Sequence, residues 1–169
     1  MSDPPLTIQI TVTLRCLTID TPNTTTKEGD RVVQQQQPVA SNEWGTITYH
    51  TQWKTMELKW EPTTQSMNDE GFRQTLQLLA DEGVKLCPAY MIIDATEFFH
   101  TVADGTFDWR NEHIIPLYNQ AGIKKFAFLV TAQAPGTVEK GAKPAPDGPA
   151  DFPTAWFESR DRLYAWLTA

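Results

Sequence analysis

The fold is indicated by an ordered series of patterns that begins with residues 44–60, WGTITYHTQWKTMELKW. Apolar and polar residues alternate in both halves of this stretch. Ile47 and Tyr49 share one face of a first strand, and Met56 and Leu58 share one face of a second. The residues between the two alternations supply a turn, so the stretch predicts a β-hairpin.

An amphipathic helix is predicted directly after the hairpin, over residues 68–82. Ser66 is expected to cap its N-terminus, and Gly83 is expected to end it. One helical stripe carries Phe72, Leu76, Leu79 and Ala80, at i, i+4, i+7 and i+8. This spacing is typical of a helix that buries one face, and we expect the stripe to pack on the sheet.

Two apolar strands and a second helix follow. Residues 89–93 and 126–130 are apolar on both faces, as in strands covered by helices. The helix between them is predicted from Asp108, as its cap, to Ala121. Pro116 lies inside it, and because proline lacks an amide donor we expect a kink or restart there.

The chain closes with a short strand at residues 155–157 and a helix over 160–167, capped by Ser159. Together these patterns predict an α/β domain over residues 43–169. We expect a mixed sheet of four to five strands with helices packed mainly on one face.

Residues 1–42 are predicted to form an N-terminal arm. Apolar residues alternate strictly from Leu6 to Cys16, which is typical of a half-buried strand. The tract from Asp20 to Asn42 is rich in Thr, Gln and Asn and is interpreted as a linker. Since an unpaired strand edge needs a partner, we expect the arm to add to a sheet edge, with a homodimer favoured over a monomer.

The amino-acid composition restricts the cellular environment and the classes of partner expected for this protein. The 169 residues carry 14 basic and 21 acidic side chains, a net charge of −7, which opposes binding to nucleic acid and to anionic membrane surfaces. There is no apolar run long enough to span a bilayer and no signal-peptide pattern. Two distant cysteines, Cys16 and Cys87, are expected to be reduced, so a cytoplasmic protein is predicted.

Several short motifs, in their order, resemble the STAS/SEC14 group of SpoIIAA-like domains found in compact bacterial proteins. The resemblance covers about three quarters of the chain, outside the N-terminal arm. The motifs are Met56-Glu57-Leu58-Lys59-Trp60, Phe72-Arg73-Gln74-Thr75-Leu76, Tyr90-Met91-Ile92-Ile93-Asp94-Ala95-Thr96, Asn111-Glu112-His113-Ile114-Ile115-Pro116 and Phe152-Pro153-Thr154-Ala155-Trp156-Phe157.

The resemblance implies a SpoIIAA-like mixed sheet and two kinds of activity. Anti-sigma factor antagonists of the group carry a phosphorylatable serine and bind a kinase, and SEC14-like members hold lipids. This chain has Ala95-Thr96-Glu97 where an Asp-Ser-Ser sequence would be expected, so a phosphoswitch is not supported.

The segment after the strand at residues 89–93 holds the candidate ligand-pocket residues, because ligands of open α/β sheets bind beyond the carboxyl ends of strands. They are the ionisable residues Asp94, Glu97, His100 and Asp104 and the aromatic residues Phe98, Phe99 and Trp109. Their spacing matches no metal-ligand pattern, so we expect no tight metal site and no cofactor. An ordinary solvated loop and core packing of the aromatic residues are the competing interpretations.

The favoured hypothesis is a non-catalytic regulatory module that binds a small apolar ligand, a lipid or a protein partner. The first alternative is a hydrolase-type enzyme that uses the segment from Asp94 to Asp104 under a Pro/Gly-rich lid, residues 134–153. The second is a self-association module. No catalytic residue is assigned.

Overall fold

The computed structural model describes residues 36–131 and 148–169, and within them the chain is an α/β protein with one six-stranded sheet. The strands are β1 (Gln36–Ser41), β2 (Gly45–His50), β3 (Thr55–Trp60), β4 (Tyr90–Asp94), β5 (Lys125–Leu129) and β6 (Thr154–Phe157). The helices are α1 (Asp69–Leu86), α2 (Thr106–His113), α3 (Ile115–Ala121) and α4 (Arg160–Thr168).

The strands lie side by side in sequence order, from β1 to β6. The pairs β1–β2 and β2–β3 are antiparallel, and the pairs from β3 to β6 are parallel. The α/β class and the mixed sheet predicted from the sequence are therefore confirmed. The expected count of four to five strands is wrong, because the described residues form six.

The strand order explains where the helices lie. The crossovers β3–α1–β4 and β4–α2–α3–β5 advance across the sheet in the same direction. Since such crossovers are right-handed, both place their helices on the same side, here called the first face. The larger core joins this face to α1 and α3, with Leu58, Met91, Leu76 and Tyr118 among its buried members.

The opposite side of the sheet, here called the second face, receives α4. Leu163 and Leu167 of this helix pack against Ile92, Ala127 and Leu129 in a smaller core. Because α4 is a single short helix, it cannot cover six strands. The second face is therefore the part of the described sheet with room for a surface site.

The predicted hairpin is confirmed as β2 and β3. A short 3₁₀ turn, Thr51–Trp53, connects the strands, and Lys54 closes it in the left-handed region with φ 47°. The predicted helical stripe is also confirmed, since Phe72, Leu76 and Leu79 are buried in the first-face core.

The ends of α1 differ from the prediction. Asn68, not Ser66, is the N-cap, and its side-chain oxygen accepts from the Gly71 amide at 2.9 Å. The helix passes Gly83 and ends at Cys87, which is in the left-handed region. The extra turn is stabilised because Leu86 packs against the first-face core.

The second predicted helix is two helices. Gly105 occupies the N-cap of α2, and Asp108 lies in its first turn rather than at the cap. The helix is interrupted at Ile114, which lies between α2 and α3. Pro116 lies in the first turn of α3, where a missing amide hydrogen is tolerated. The predicted restart is confirmed.

Two further expectations from the sequence need correction. The end of the predicted linker, Gln36–Ser41, forms β1, with a bulge near Pro38, and β1 is an edge of the sheet within the described residues. A strand at a sheet edge pairs through its backbone on one side only and tolerates proline. Residues 36–41 can therefore form a strand although their polar composition does not predict one. Cys87 is disulfide-bonded, so it is not the reduced thiol that the distance from Cys16 suggested.

The predicted strand from Leu6 to Cys16 and most of the Pro/Gly-rich segment lie outside the described residues. Among the described residues, no helix is long and apolar enough to cross a membrane.

Candidate functional site

A groove lies on the second face, beside α4, where no helix of the described residues covers β2 and β3. Its volume is about 530 Å³, within the range of pockets that hold small molecules. From the sheet side it is lined by Thr46, Thr48, His50, Glu57, Lys59 and Glu61. From α4 it is lined by Arg160, Asp161 and Tyr164.

Strand alternation places these polar side chains in the groove. Ile47 and Tyr49 of β2 belong to the first-face core, so Thr48 and His50 face the other way. Glu57 lies between two core residues of β3 and faces the groove for the same reason. The register pairs Glu57 with Thr48, which makes His50 a diagonal neighbour of Glu57 across the two strands.

Four side chains, His50, Glu57, Asp94 and Arg160, form what we call the charge network. Glu57 Oε2 lies 3.1 Å from His50 Nε2, and Glu57 Oε1 accepts from Arg160 Nη2 at 2.7 Å. The same Nη2 donates to Asp94 Oδ2 at 2.6 Å. The other oxygen of Asp94 accepts from the Thr96 hydroxyl, also at 2.6 Å. The network thereby joins β2, β3, β4 and α4.

Burial is uneven across the network. The Glu57 and Asp94 side chains are 8% and 5% exposed, whereas the Arg160 side chain is 43% exposed. Two buried carboxylates therefore accept from Nη2 of a guanidinium that is itself partly exposed in the groove. A buried carboxylate needs a counter-charge, and Arg160 supplies one to both acids.

Opposing effects act on the pKa of Glu57. Burial raises this pKa, but the hydrogen bonds from His50 and Arg160, together with their charges, lower it more, so the net shift is downward. The hydrogen bond to Glu57 raises the pKa of Arg160 and outweighs the opposite effect of burial. Burial also raises the pKa of the Tyr164 hydroxyl. Glu57 and Arg160 are therefore held in their charged forms.

The groove as a whole has an acidic lining. Glu57, Glu61 and Asp161 contribute carboxylates, against the cations Lys59 and Arg160. Behind these cations lie two more carboxylates. Asp94 contacts Arg160, and Glu97 lies 3.6 Å from Lys59. A polar ligand is favoured by this lining over an apolar one.

The candidate residues predicted from the sequence do not meet in one place. Asp94 belongs to the charge network, and Glu97 pairs with Lys59 at the groove. His100 lies elsewhere, with Nε2 2.7 Å from Asp69 Oδ1 at the start of α1. Asp104 is exposed to solvent.

The aromatic candidates are also separated. Phe98 packs on Trp60 and Phe72 at ring distances of 5.0 and 5.9 Å, which is core packing. Phe99 is 58% exposed. Trp109 stacks on His113 at 5.6 Å and packs against the first-face core.

The contact between Asp69 and His100 has a structural role. Asp69 also accepts from the Ala103 amide at 3.3 Å and lies 3.4 Å from the Thr106 hydroxyl. The hydrogen bond from His100 lowers the pKa of Asp69. These contacts attach the segment after β4 to the N-terminus of α1, where a carboxylate is favoured by the helix dipole.

The sequence interpretation missed the central residues of the groove, namely His50, Glu57 and Arg160. A usable pattern existed for two of them, because His50 and Glu57 occupy diagonal positions on one face of the predicted hairpin. Arg160 had no such pattern. It is 103 residues from Glu57 and 66 residues from Asp94, and only the packing of α4 brings it to them.

Within residues 36–131 and 148–169, no group of three or more His, Cys, Asp or Glu side chains is arranged to hold a metal ion. Comparisons with protein-family models, with curated proteins and with solved structures each gave no match. The resemblance to the STAS/SEC14 group thus stays a prediction from short motifs.

Proposed function

We propose that this protein is a non-catalytic binding module whose small ligand occupies the groove on the second face. The observation that supports the proposal is the position of Arg160, which is held by two buried carboxylates and is nevertheless 43% exposed toward the groove. A buried ion network is costly to desolvate and contributes little to stability compared with an apolar cluster. Recognition of a ligand would account for the presence of such a network.

The proposal refines the function expected from the resemblance. The predicted ligand was apolar or lipid-like, as in SEC14-like proteins. The hydroxyls, carboxylates and cations of the groove support a polar ligand instead. A SpoIIAA-like arrangement of the sheet and a bacterial STAS-type regulatory role remain part of the hypothesis. The cytoplasmic location predicted from the sequence is less well supported, because stable disulfides are rare in the cytosol and Cys87 is disulfide-bonded.

The test is mass spectrometry of small molecules that copurify with the native full-length protein. Thr48→Phe is the diagnostic variant, because a bulky ring at Thr48 fills the groove and leaves the charge network intact. Glu112→Gln is the matched control, since Glu112 is exposed on α2. We expect one or more bound molecules in wild type and control, and none in Thr48→Phe. Equal content in all three proteins would refute the groove as the binding site.

A second candidate function is hydrolysis, which the 3.1 Å contact of His50 with Glu57 favours. A carboxylate-oriented histidine can act as a general base. However, no hydroxyl or thiol of the described residues donates to His50, and His100 does not join the carboxylates of its own segment. If the enzyme hypothesis holds, His50→Gln abolishes turnover of a panel of ester and amide substrates, while wild type turns at least one over.

Self-association through the N-terminal arm is a third proposal. β1 is an edge of the described sheet, and an edge offers unpaired backbone groups to another strand. We expect removal of residues 1–35, which spares β1, to change the molar mass in light scattering if the protein is a homodimer. An unchanged mass and melting temperature would exclude the arm as a dimerisation element.

A further inference from the structure

We propose that the ligand of the groove is a small zwitterion, a molecule of amino-acid or dipeptide size that carries both a carboxylate and an ammonium group. This inference deepens the proposed function and depends on it. It follows from the presence of both a partly exposed guanidinium and carboxylates without ion pairs in the groove lining.

Arg160 provides the site for the carboxylate. Both ion pairs of its guanidinium start from Nη2, at 2.7 Å to Glu57 and 2.6 Å to Asp94. A guanidinium has five N–H groups, and those on Nε and Nη1 form no ion pair with the described residues. The two buried acids fix the orientation of the group. The Tyr164 hydroxyl, which also lines the groove, lies within hydrogen-bonding reach of the same guanidinium. Because Arg160 is 43% exposed in the groove, a ligand carboxylate can still reach it, and hydrogen bonds from Arg to a carboxylate are among the stronger ones in proteins.

Glu61 and Asp161 provide the site for the ammonium group. Both line the groove, one after β3 and one in the first turn of α4, and neither forms an ion pair among the described residues. The Glu61 carboxylate has only a weak contact, 3.5 Å from the Thr46 hydroxyl. A ligand cation would supply a counter-charge to either carboxylate.

Ligands with a single charge fit less well. A purely anionic ligand would be repelled by Glu61 and Asp161 and by the net charge of −7. A purely cationic ligand would meet the exposed part of Arg160. The hydroxyls of Thr46 and Thr48 add hydrogen-bonding groups along the sheet side, where the polar backbone of an amino acid or dipeptide can bind.

The experiment is a thermal-shift screen of the full-length protein with free amino acids and dipeptides, followed by calorimetric titration of the best ligand. Two derivatives of that ligand are matched controls. The methyl ester removes the carboxylate charge and keeps the ammonium, and the N-acetyl derivative does the reverse. We expect each derivative to bind at least about tenfold more weakly than the parent, as is typical for the loss of a charged hydrogen bond.

A variant assigns the ammonium to its carboxylates. Glu61→Gln leaves the charge network intact. It is expected to weaken binding of the parent ligand several-fold and to leave binding of the N-acetyl derivative almost unchanged. Such non-additivity identifies direct contact. Asp161→Asn is expected to behave in the same way, and Glu112→Gln is expected to leave both affinities unchanged.

Each other outcome overturns the inference. If the ester binds as tightly as the parent, the ligand is a simple cation, and if the N-acetyl form does, it is a simple anion. If no amino acid or dipeptide binds, the zwitterion inference fails. In all three cases the copurification experiment, with Thr48→Phe as its variant, decides separately whether the groove binds a ligand at all.

Discussion

Removal of the Arg160 charge, by Arg160→Met, is expected to destabilise the protein far more than removal of an ordinary surface cation. The variant keeps an unbranched apolar stem, removes the guanidinium, and leaves Glu57 and Asp94, at 8% and 5% exposure, without a cationic partner on α4. Breaking a fully buried pair costs about 3–5 kcal/mol. Because the Arg160 side chain is 43% exposed, we expect about 2–4 kcal/mol at neutral pH.

The assay is urea denaturation of the full-length protein, with Lys59→Met as the matched control. Lys59 also lines the groove, but its contact with Glu97 spans 3.6 Å and both side chains are nearly half exposed. Such a pair contributes about 0–1 kcal/mol. We expect the midpoint to shift by roughly 1–2 M urea for Arg160→Met, given an m-value of about 2 kcal/mol/M, and by much less for Lys59→Met.

The loss should also depend on pH in a defined direction. The pKa of Glu57 is lowered by folding, so its contribution to stability is present above its unfolded pKa of roughly 4.3. This contribution is lost as the pH falls through the folded value. In Arg160→Met, Glu57 loses the hydrogen bond and the charge of Arg160, both of which lower its pKa. The deficit of the variant should therefore be largest at pH 7 and shrink toward pH 4.

Two results would refute this account of the charge network. One is a midpoint for Arg160→Met that equals that of Lys59→Met within error. The other is a deficit that does not change between pH 7 and pH 4. Either result would mean that Glu57 and Asp94 are solvated well enough to do without Arg160.

Four further predictions test the packing and the disulfide. Leu76→Ala, at a side chain only 6% exposed, should cost about 2–5 kcal/mol, and an unchanged urea midpoint would show that the helical stripe is not buried. Gly71→Ala should destabilise by about 1–3 kcal/mol, because the added Cβ would lie 2.6 Å from Trp44 Nε1. In Gly83→Ala the new Cβ would meet only Met91, at 3.5 Å, so better helix propensity should stabilise the protein by up to about 1 kcal/mol. Cys87 should resist alkylation in urea until a reductant is added, and labelling without reductant would contradict the disulfide.

Much of the fold could be predicted because the relevant patterns are local. Alternation identified β2 and β3, apolar runs identified β4 and β5, and Pro116 identified the break between α2 and α3. The two ends of α1 were predicted wrongly, because neighbouring residues compete for the cap positions and helix propensity does not decide between them. Asn68 capped α1 in place of Ser66, and Leu86 found core contacts that extended the helix past Gly83.

The candidate site was predicted much less well, because proximity along the chain was a poor guide to proximity in space. The segment after β4 concentrates ionisable residues, yet His100 pairs with Asp69 and Phe98 enters the core. Of the predicted residues, Asp94 joins the charge network and Glu97 contacts a groove residue. His50 and Glu57 were not among the predicted site residues, because polar side chains in a strand usually lie on a solvated face.

By itself, the sequence determined the kind and order of the elements, since the period of a strand or helix follows from backbone geometry over a few residues. It also determined that Glu57 and His50 share one face of the hairpin. The tertiary structure alone decided that α4 lies on the second face and carries Arg160 to Glu57 across 103 residues of chain. The physical reason is that this contact depends on the strand order and on burial of Leu163 and Leu167, which are properties of the whole packed sheet rather than of any one segment.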